Sequence, residues 1–106
     1  MPVSPDSLQK QPYEQFNISV DFKKQLASDE TITDVTVSAT DSSDADATTT
    51  IVEGSQIVGQ TIKVGIMGGV TGETYKLTCK ITTDAIMPGG NFEQYEGDVS
   101  IIVVEE

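Results

Sequence analysis

Apolar residues recur at every second position through much of this chain. Between residues 72 and 83, Tyr75, Leu77, Cys79 and Ile81 alternate with Thr74, Lys76, Thr78 and Lys80. Side chains along a strand point to opposite faces in turn, so this run predicts a strand with one face buried and the other wet. Residues 16–22 repeat the pattern, with Phe16, Ile18, Val20 and Phe22 facing inward and Asn17, Ser19 and Asp21 outward. Residues 31–40 predict a second strand, with Val35, Val37 and Ala39 on one face and Thr36 and Ser38 on the other. A short strand is expected around Ile51, over residues 48–53, closed by a turn at Gly54-Ser55. A fourth strand follows over residues 58–66, with Val58, Ile62, Val64 and Ile66 in phase. Glycines 68, 69 and 72 break it before the 73–83 strand, and residues 95–104 form the last strand, with Tyr95, Val99, Ile101 and Val103 inward.

The connections carry turn chemistry. Residues 23–30 are polar, with Leu26 and Ala27 as a plug; residues 41–46 read Asp-Ser-Ser-Asp-Ala-Asp, side chains that bond their own backbone. Residues 84–94 form a long connection containing Met87-Pro88-Gly89-Gly90. Roughly six or seven short strands with regularly spaced turns predict an all-β, Ig-like (fibronectin III-like) antiparallel β-sandwich, with a small barrel as the alternative architecture. If each connection reverses the chain, the acidic loop at 41–47 and the glycine turn at 67–72 share one end. The loops at 23–30, 54–56 and 84–94 then share the other, and both termini of the strand region fall at the acidic end. Prolines at 2, 5 and 12 make residues 1–12 an extended N-terminal arm, either loose or ordered against a neighbouring subunit, ahead of a single sandwich domain over 13–106.

Composition agrees with this picture. The 106 residues suit one domain with one core, and β-branched Thr, Val and Ile dominate over helix formers. The net charge is −11, and all six cations are lysine. Such a chain repels phosphate backbones and anionic lipid surfaces, so no nucleic-acid partner is expected. The charge serves solubility or, as the alternative, docking on a basic partner surface. No run approaches a membrane span, and the first residues lack the basic start and apolar stretch of a secretory signal. The lone Cys79 falls on an inward face and is expected to be a small buried hydrophobe in a protein made in a reducing cytoplasm.

Catalytic chemistry is not apparent. With no His and no Arg, the usual general base and anion clamp are missing, and no carboxylate pair stands out. Gly65-Ile66-Met67-Gly68-Gly69 lacks the spacing of a phosphate loop. No enzyme activity and no cofactor are expected. Asp41, Asp44 and Asp46 are weak calcium candidates, with Ser42 and Ser43 as further oxygens, but their spacing is not that of an EF-hand. Asn17-Ile18-Ser19 fits the glycosylation pattern but lies mid-strand.

Two surface features exceed what a lone sandwich needs. Ile86, Met87 and Phe92 sit in the long connection, where they either tuck over the open end of the sandwich or meet a neighbouring protein. The run Ile101-Ile102-Val103-Val104 is apolar on both faces, so Ile102 and Val104 pack under the N-terminal segment or against another subunit. Glu105 and Glu106 then act as charged gatekeepers against edge-to-edge pairing.

These features bring a family into view. Lys10, Pro12 and Glu14 precede a first strand ending in Asp21-Phe22, and Asp29-Glu30-Thr31-Ile32 leads into the second. Gly68-Gly69-Val70-Thr71-Gly72 opens a Tyr-led strand with a Thr-rich end, and the chain closes on a Val/Ile strand with an acidic tail. In these respects, over about residues 10–106, the chain resembles small bacteriophage and prophage Ig-like structural proteins of the fiber-tail adaptor or tail-region type. It departs from them where residues 88–96 replace an Arg-containing approach to the last strand, and in having no Trp. The resemblance implies a non-enzymatic virion protein of the tail or head–tail region. It would be synthesised in the cytoplasm, contact other virion structural proteins and sit in a homo-oligomeric ring. The alternative is a bacterial Ig-like adhesion or carbohydrate-binding module, for which only Tyr13, Tyr95 and Phe92 are candidate platform aromatics.

Overall fold

The computed structural model describes residues 7–105. The expectations for residues 1–6, including Pro2 and Pro5, and for Glu106 lie outside the described residues. Seven strands and one helical turn follow in order: β1 (Ser7–Lys10), β2 (Phe16–Asp21), β3 (Ile32–Thr40), α1 (Thr48–Ile51), β4 (Val52–Val58), β5 (Thr61–Ile66), β6 (Thr74–Ile86) and β7 (Phe92–Val103). They form two sheets, one with the order β1-β7-β6-β3 and one with the order β2-β5-β4. The chain is thus an all-β sandwich, as its alternation predicts. The orders β2-β5-β4 and β7-β6-β3 match the B-E-D and G-F-C neighbours of a constant-type immunoglobulin sandwich. One pairing departs from the antiparallel expectation: β1 runs parallel to β7, with Ser7 opposite Ser100 and Lys10 opposite Val103.

The core lies between the sheets and is built from the in-phase residues. Ile18, Val20 and Phe22 of the β2 segment and Ile62, Val64 and Ile66 of β5 meet Tyr75, Leu77, Cys79 and Ile81 of β6 and Val99, Ile101 and Val103 of β7. Leu26 plugs the core as expected, whereas Ala27 is exposed. Burial pushes the Cys79 thiol up to about 12, so it stays protonated as a small apolar filler.

Four local expectations are corrected. Residues 48–51 form a helical turn rather than a strand. Thr48 explains why: its hydroxyl accepts the Ala39 N–H at 3.0 Å, taking the place of a ladder carbonyl, and the turn carries Ile51 into the core. The turn expected at Gly54-Ser55 is a register shift within β4, between Val52 and Gly54. The reversal comes instead at Gly59-Gln60, where Gly59 has φ of 63° and Val58 pairs with Thr61, so Val58 ends exposed at the tip of a two-residue hairpin. The connection at 84–94 is largely strand, because β6 and β7 continue into it. Phe16 has the inward parity but closes the end of β2 and remains 40% exposed.

Chain reversals place the loops as counted, with the β4–β5 turn moved to Gly59-Gln60. At one end Ser42 donates to the Glu73 carboxylate at 2.6 Å, joining the acidic loop to the glycine turn. At the other, the Asp84 N–H donates to the Thr31 carbonyl at 3.0 Å, and the Gln60 amide donates to the Ala27 and Glu30 carbonyls at 2.7 and 2.8 Å. The two ends are far apart, since the molecule is 49 Å long and 23 by 20 Å across.

Candidate partner-contact surface

The β6–β7 hairpin outruns its sheet. Strand β3 starts at Ile32, which pairs with Thr83, while β6 continues to Ile86 and β7 begins at Phe92. The projecting part is fastened at its root. The Thr31 N–H donates to an Asp84 carboxylate oxygen at 2.9 Å, and the Thr83 hydroxyl donates to the buried Glu30 carboxylate. Glu30 also accepts the Ala27 N–H at 3.0 Å, so both of its oxygens have donors.

Turn chemistry shapes the tip. The Gly90 N–H donates to the Met87 carbonyl at 2.8 Å, and the Met87 N–H to the Asn91 carbonyl at 2.8 Å. Pro88 presets φ for the first turn position, and Gly90 takes φ of 98°, a region that glycine enters without strain. Immediately behind this turn Ile86 pairs with Phe92, so the two side chains share a face. They do not fold back over the sandwich: Ile86 is 66% exposed, Phe92 50% and Met87 40%. Burying such a side chain against a partner is worth about 1.5–3 kcal/mol.

Tyr95 lies further down β7, half-buried against the core, with its hydroxyl donating to the Glu93 carboxylate at 2.7 Å. That bond, some burial and the negative charges of Glu93 and Glu30 push its phenol up to about 12. The native state therefore holds this proton longer than the unfolded chain. Its contribution to stability is complete below the ordinary tyrosine value near 10 and is lost as pH rises through about 12. Ultraviolet titration should show the Tyr95 step late in the parent, and Glu93→Ala should return that step toward the ordinary value.

Ile102 and Val104 are half-buried beside the N-terminal strand. Ile102 stands between Thr74 of β6 and Gln9 of β1, and the Val104 N–H donates to the Lys10 carbonyl at 2.9 Å. The acidic loop uses its carboxylates internally. An Asp41 oxygen accepts the Ser43 and Ala45 N–H groups at 2.8 and 3.0 Å, and an Asp46 oxygen accepts the Thr48 hydroxyl at 2.7 Å. The Thr48 bonds hold the Asp46 carboxyl below its usual range. Asp44 takes φ of 63° in the turn, and no set of three metal-ligating side chains converges among the described residues.

Two features gave no signal in the sequence. Lys10 is buried without an ion-pair partner among the described residues; its ammonium donates to the adjacent Gln11 carbonyl at 2.7 Å and to the distant Gly68 carbonyl. Burial lowers its pKa, and the Glu14 charge partly offsets this. Tyr13, Phe16 and Met67 line one open groove at the acidic end, far from Tyr95 and Phe92, so the aromatics do not form one platform. Exposed aromatics are visible in a sequence, but their assembly depends on the meeting of β2 with the glycine turn.

No helix among the described residues is long and apolar enough to cross a membrane. No curated protein and no solved structure matches the chain. A family model described as podophage GP4 fiber-tail adaptor protein gp77 matches residues 10–92, which is most of the chain. The match takes in every strand from β2 to β6 together with the projecting turn as far as Phe92. The chain therefore belongs to the podophage GP4 fiber-tail adaptor protein gp77 family and is a bacteriophage tail structural protein.

Proposed function

We propose that the protein works without catalysis, by holding virion proteins of the tail region together through the tip of its β6–β7 hairpin. The observation that carries this reading is the exposed Ile86–Phe92 pair, set on a hairpin that is fastened at its root and closed by a tight turn. A rigid apolar tip loses little entropy on docking, which favours its use as an anchor. Met87 adds an adaptable apolar surface beside the pair. Ile102 and Val104, with the first strand beside them, offer a second, flatter contact that suits neighbouring copies around a ring. The protein then resides in the virion after synthesis in the host cytoplasm. Its charge of −11 fits docking on basic protein surfaces rather than on nucleic acid.

The test is complementation of a phage lacking this gene with the Ile86→Ser/Phe92→Ser double variant. The variant should fold like the parent by circular dichroism and melt within a few degrees of it, because both side chains are exposed. It should nevertheless be missing from purified particles, which should lack complete tails. Normal incorporation of the folded variant would overturn the reading.

A further inference from the structure

The end opposite the hairpin carries its own apolar feature. The link from β1 to β2 is drawn into a tight turn: the Glu14 N–H donates to the Gln11 carbonyl at 3.0 Å, and the Gln11 N–H to the Glu14 carboxylate at 2.7 Å. Pro12 and Tyr13 occupy its middle, and Tyr13 is driven outward until it is 95% exposed. With Phe16 and Met67 it lines an open groove of about 760 Å³. Glu14 stands in the same lining, and Glu53 stands across Phe16 in the adjoining depression. Lys10 anchors the groove through Gly68, and its ammonium is engaged with two carbonyls rather than paired with a carboxylate. The one ion pair among the described residues, Lys76 with Asp98 at 3.7 Å, is elsewhere.

Tyrosine, phenylalanine and methionine are all enriched at protein–protein interfaces, and tyrosine is a frequent anchor of them. The carboxylates at its margins select what approaches. A second copy of this chain is a poor occupant, because it has no arginine and a net charge of −11. We propose that this groove is a further docking site, taking a segment of another protein that carries lysine or arginine beside aromatic side chains. Cations can then stack on Tyr13 or pair with Glu14 and Glu53 while the apolar side chains cover Phe16 and Met67. The inference rests on the tail-adaptor reading for its purpose: an elongated connector with an anchor at each end joins two neighbours. The site itself stands on its own geometry.

The full chain, labelled with nitrogen-15, would be titrated with three synthetic peptides that alternate Lys with Phe, Lys with Ser and Glu with Phe. The Lys–Phe peptide should bind at least about ten-fold tighter than the other two, with amide shifts concentrated at Gln11, at residues 13–16 and around Thr50, Met67 and Gly68. Tyr13→Ser should weaken it by about ten-fold, and Glu53→Gln by a smaller factor. Asp44→Asn removes a charge from the same end outside the groove and should change little. Binding by none of the peptides, equal binding of the Lys–Ser peptide, shifts spread over the acidic surface, or equal effects of Asp44→Asn and Glu53→Gln would overturn the proposal. The Ile86→Ser/Phe92→Ser variant should bind the peptide like the parent, so failure of the hairpin reading and failure of the groove are separately visible.

Discussion

Replacing Thr83 by valine is expected to lower stability by about 2–4 kcal/mol, although the two side chains have nearly the same shape. Thr83 is fully buried, and its hydroxyl is one of two donors to Glu30, itself buried at the mouth of the sandwich. Valine would leave a carboxylate oxygen out of water with no donor, and that penalty is larger for a charged group than for a neutral one. Glu30→Gln should cost less, because the amide oxygen still accepts from Ala27 and the amide nitrogen can donate to Thr83 Oγ1. Urea unfolding checks the order: the midpoint should fall further for Thr83→Val than for Glu30→Gln, at unchanged slope. The same node fixes the hairpin root, together with the paired Thr31 and Asp84 bonds. Thr83→Val should therefore also speed amide exchange in residues 84–92 while β6 near Leu77 keeps its protection. Equal stability of the two variants would mean that solvent, not Thr83, satisfies the carboxylate.

The legible parts of this fold are those decided by period. Strand β6 alternates without interruption, and every residue assigned inward from Tyr75 to Ile81 is buried. Parity fails at element ends. Phe16 and Val58 have the right phase, but each lies where its strand runs out and stays partly exposed. Composition misleads at residues 48–51, where three threonines favour a strand by propensity and one hydroxyl bond to Ala39 supports a helical turn instead. Gly54 and Gly59 are alike as sequence. Only Gly59 takes a positive φ, because the strand register places it at the reversal. The candidate sites divide in the same way. Apolar residues beside Pro88, Gly89 and Gly90 mark the hairpin tip without any structure. Glu30 and Lys10 are indistinguishable from solvated surface charges, because their partners Thr83 and Gly68 lie 53 and 58 residues away.

A large effect of a single added methyl group is expected at Gly69, where alanine should cost about 3–5 kcal/mol. Two penalties coincide there. Gly69 has φ of 102°, which L-residues with a Cβ rarely adopt. A Cβ would also lie 2.7 Å from Val103 Cγ2 and 3.4 Å from both Ile51 Cδ1 and Tyr75 Cε2, three members of the core. Two other glycines separate these terms. Gly72 has φ of 93° with nothing within 4 Å of a Cβ, so Gly72→Ala should show the backbone penalty alone, about 1–2 kcal/mol. Gly54 has neither constraint, and alanine there should be within about 0.5 kcal/mol of neutral. Equal losses for Gly69→Ala and Gly72→Ala would mean that Val103 and Tyr75 move aside freely and that packing in this corner is loose. The corner also supports the groove, since the Val70 N–H donates to the Tyr75 hydroxyl at 3.0 Å and Gly68 accepts from Lys10. Displacing Tyr75 would shift the glycine turn that carries Met67 and Gly68 under Tyr13. Gly69→Ala should therefore weaken Lys–Phe peptide binding even below its melting temperature, while Gly72→Ala leaves that binding intact.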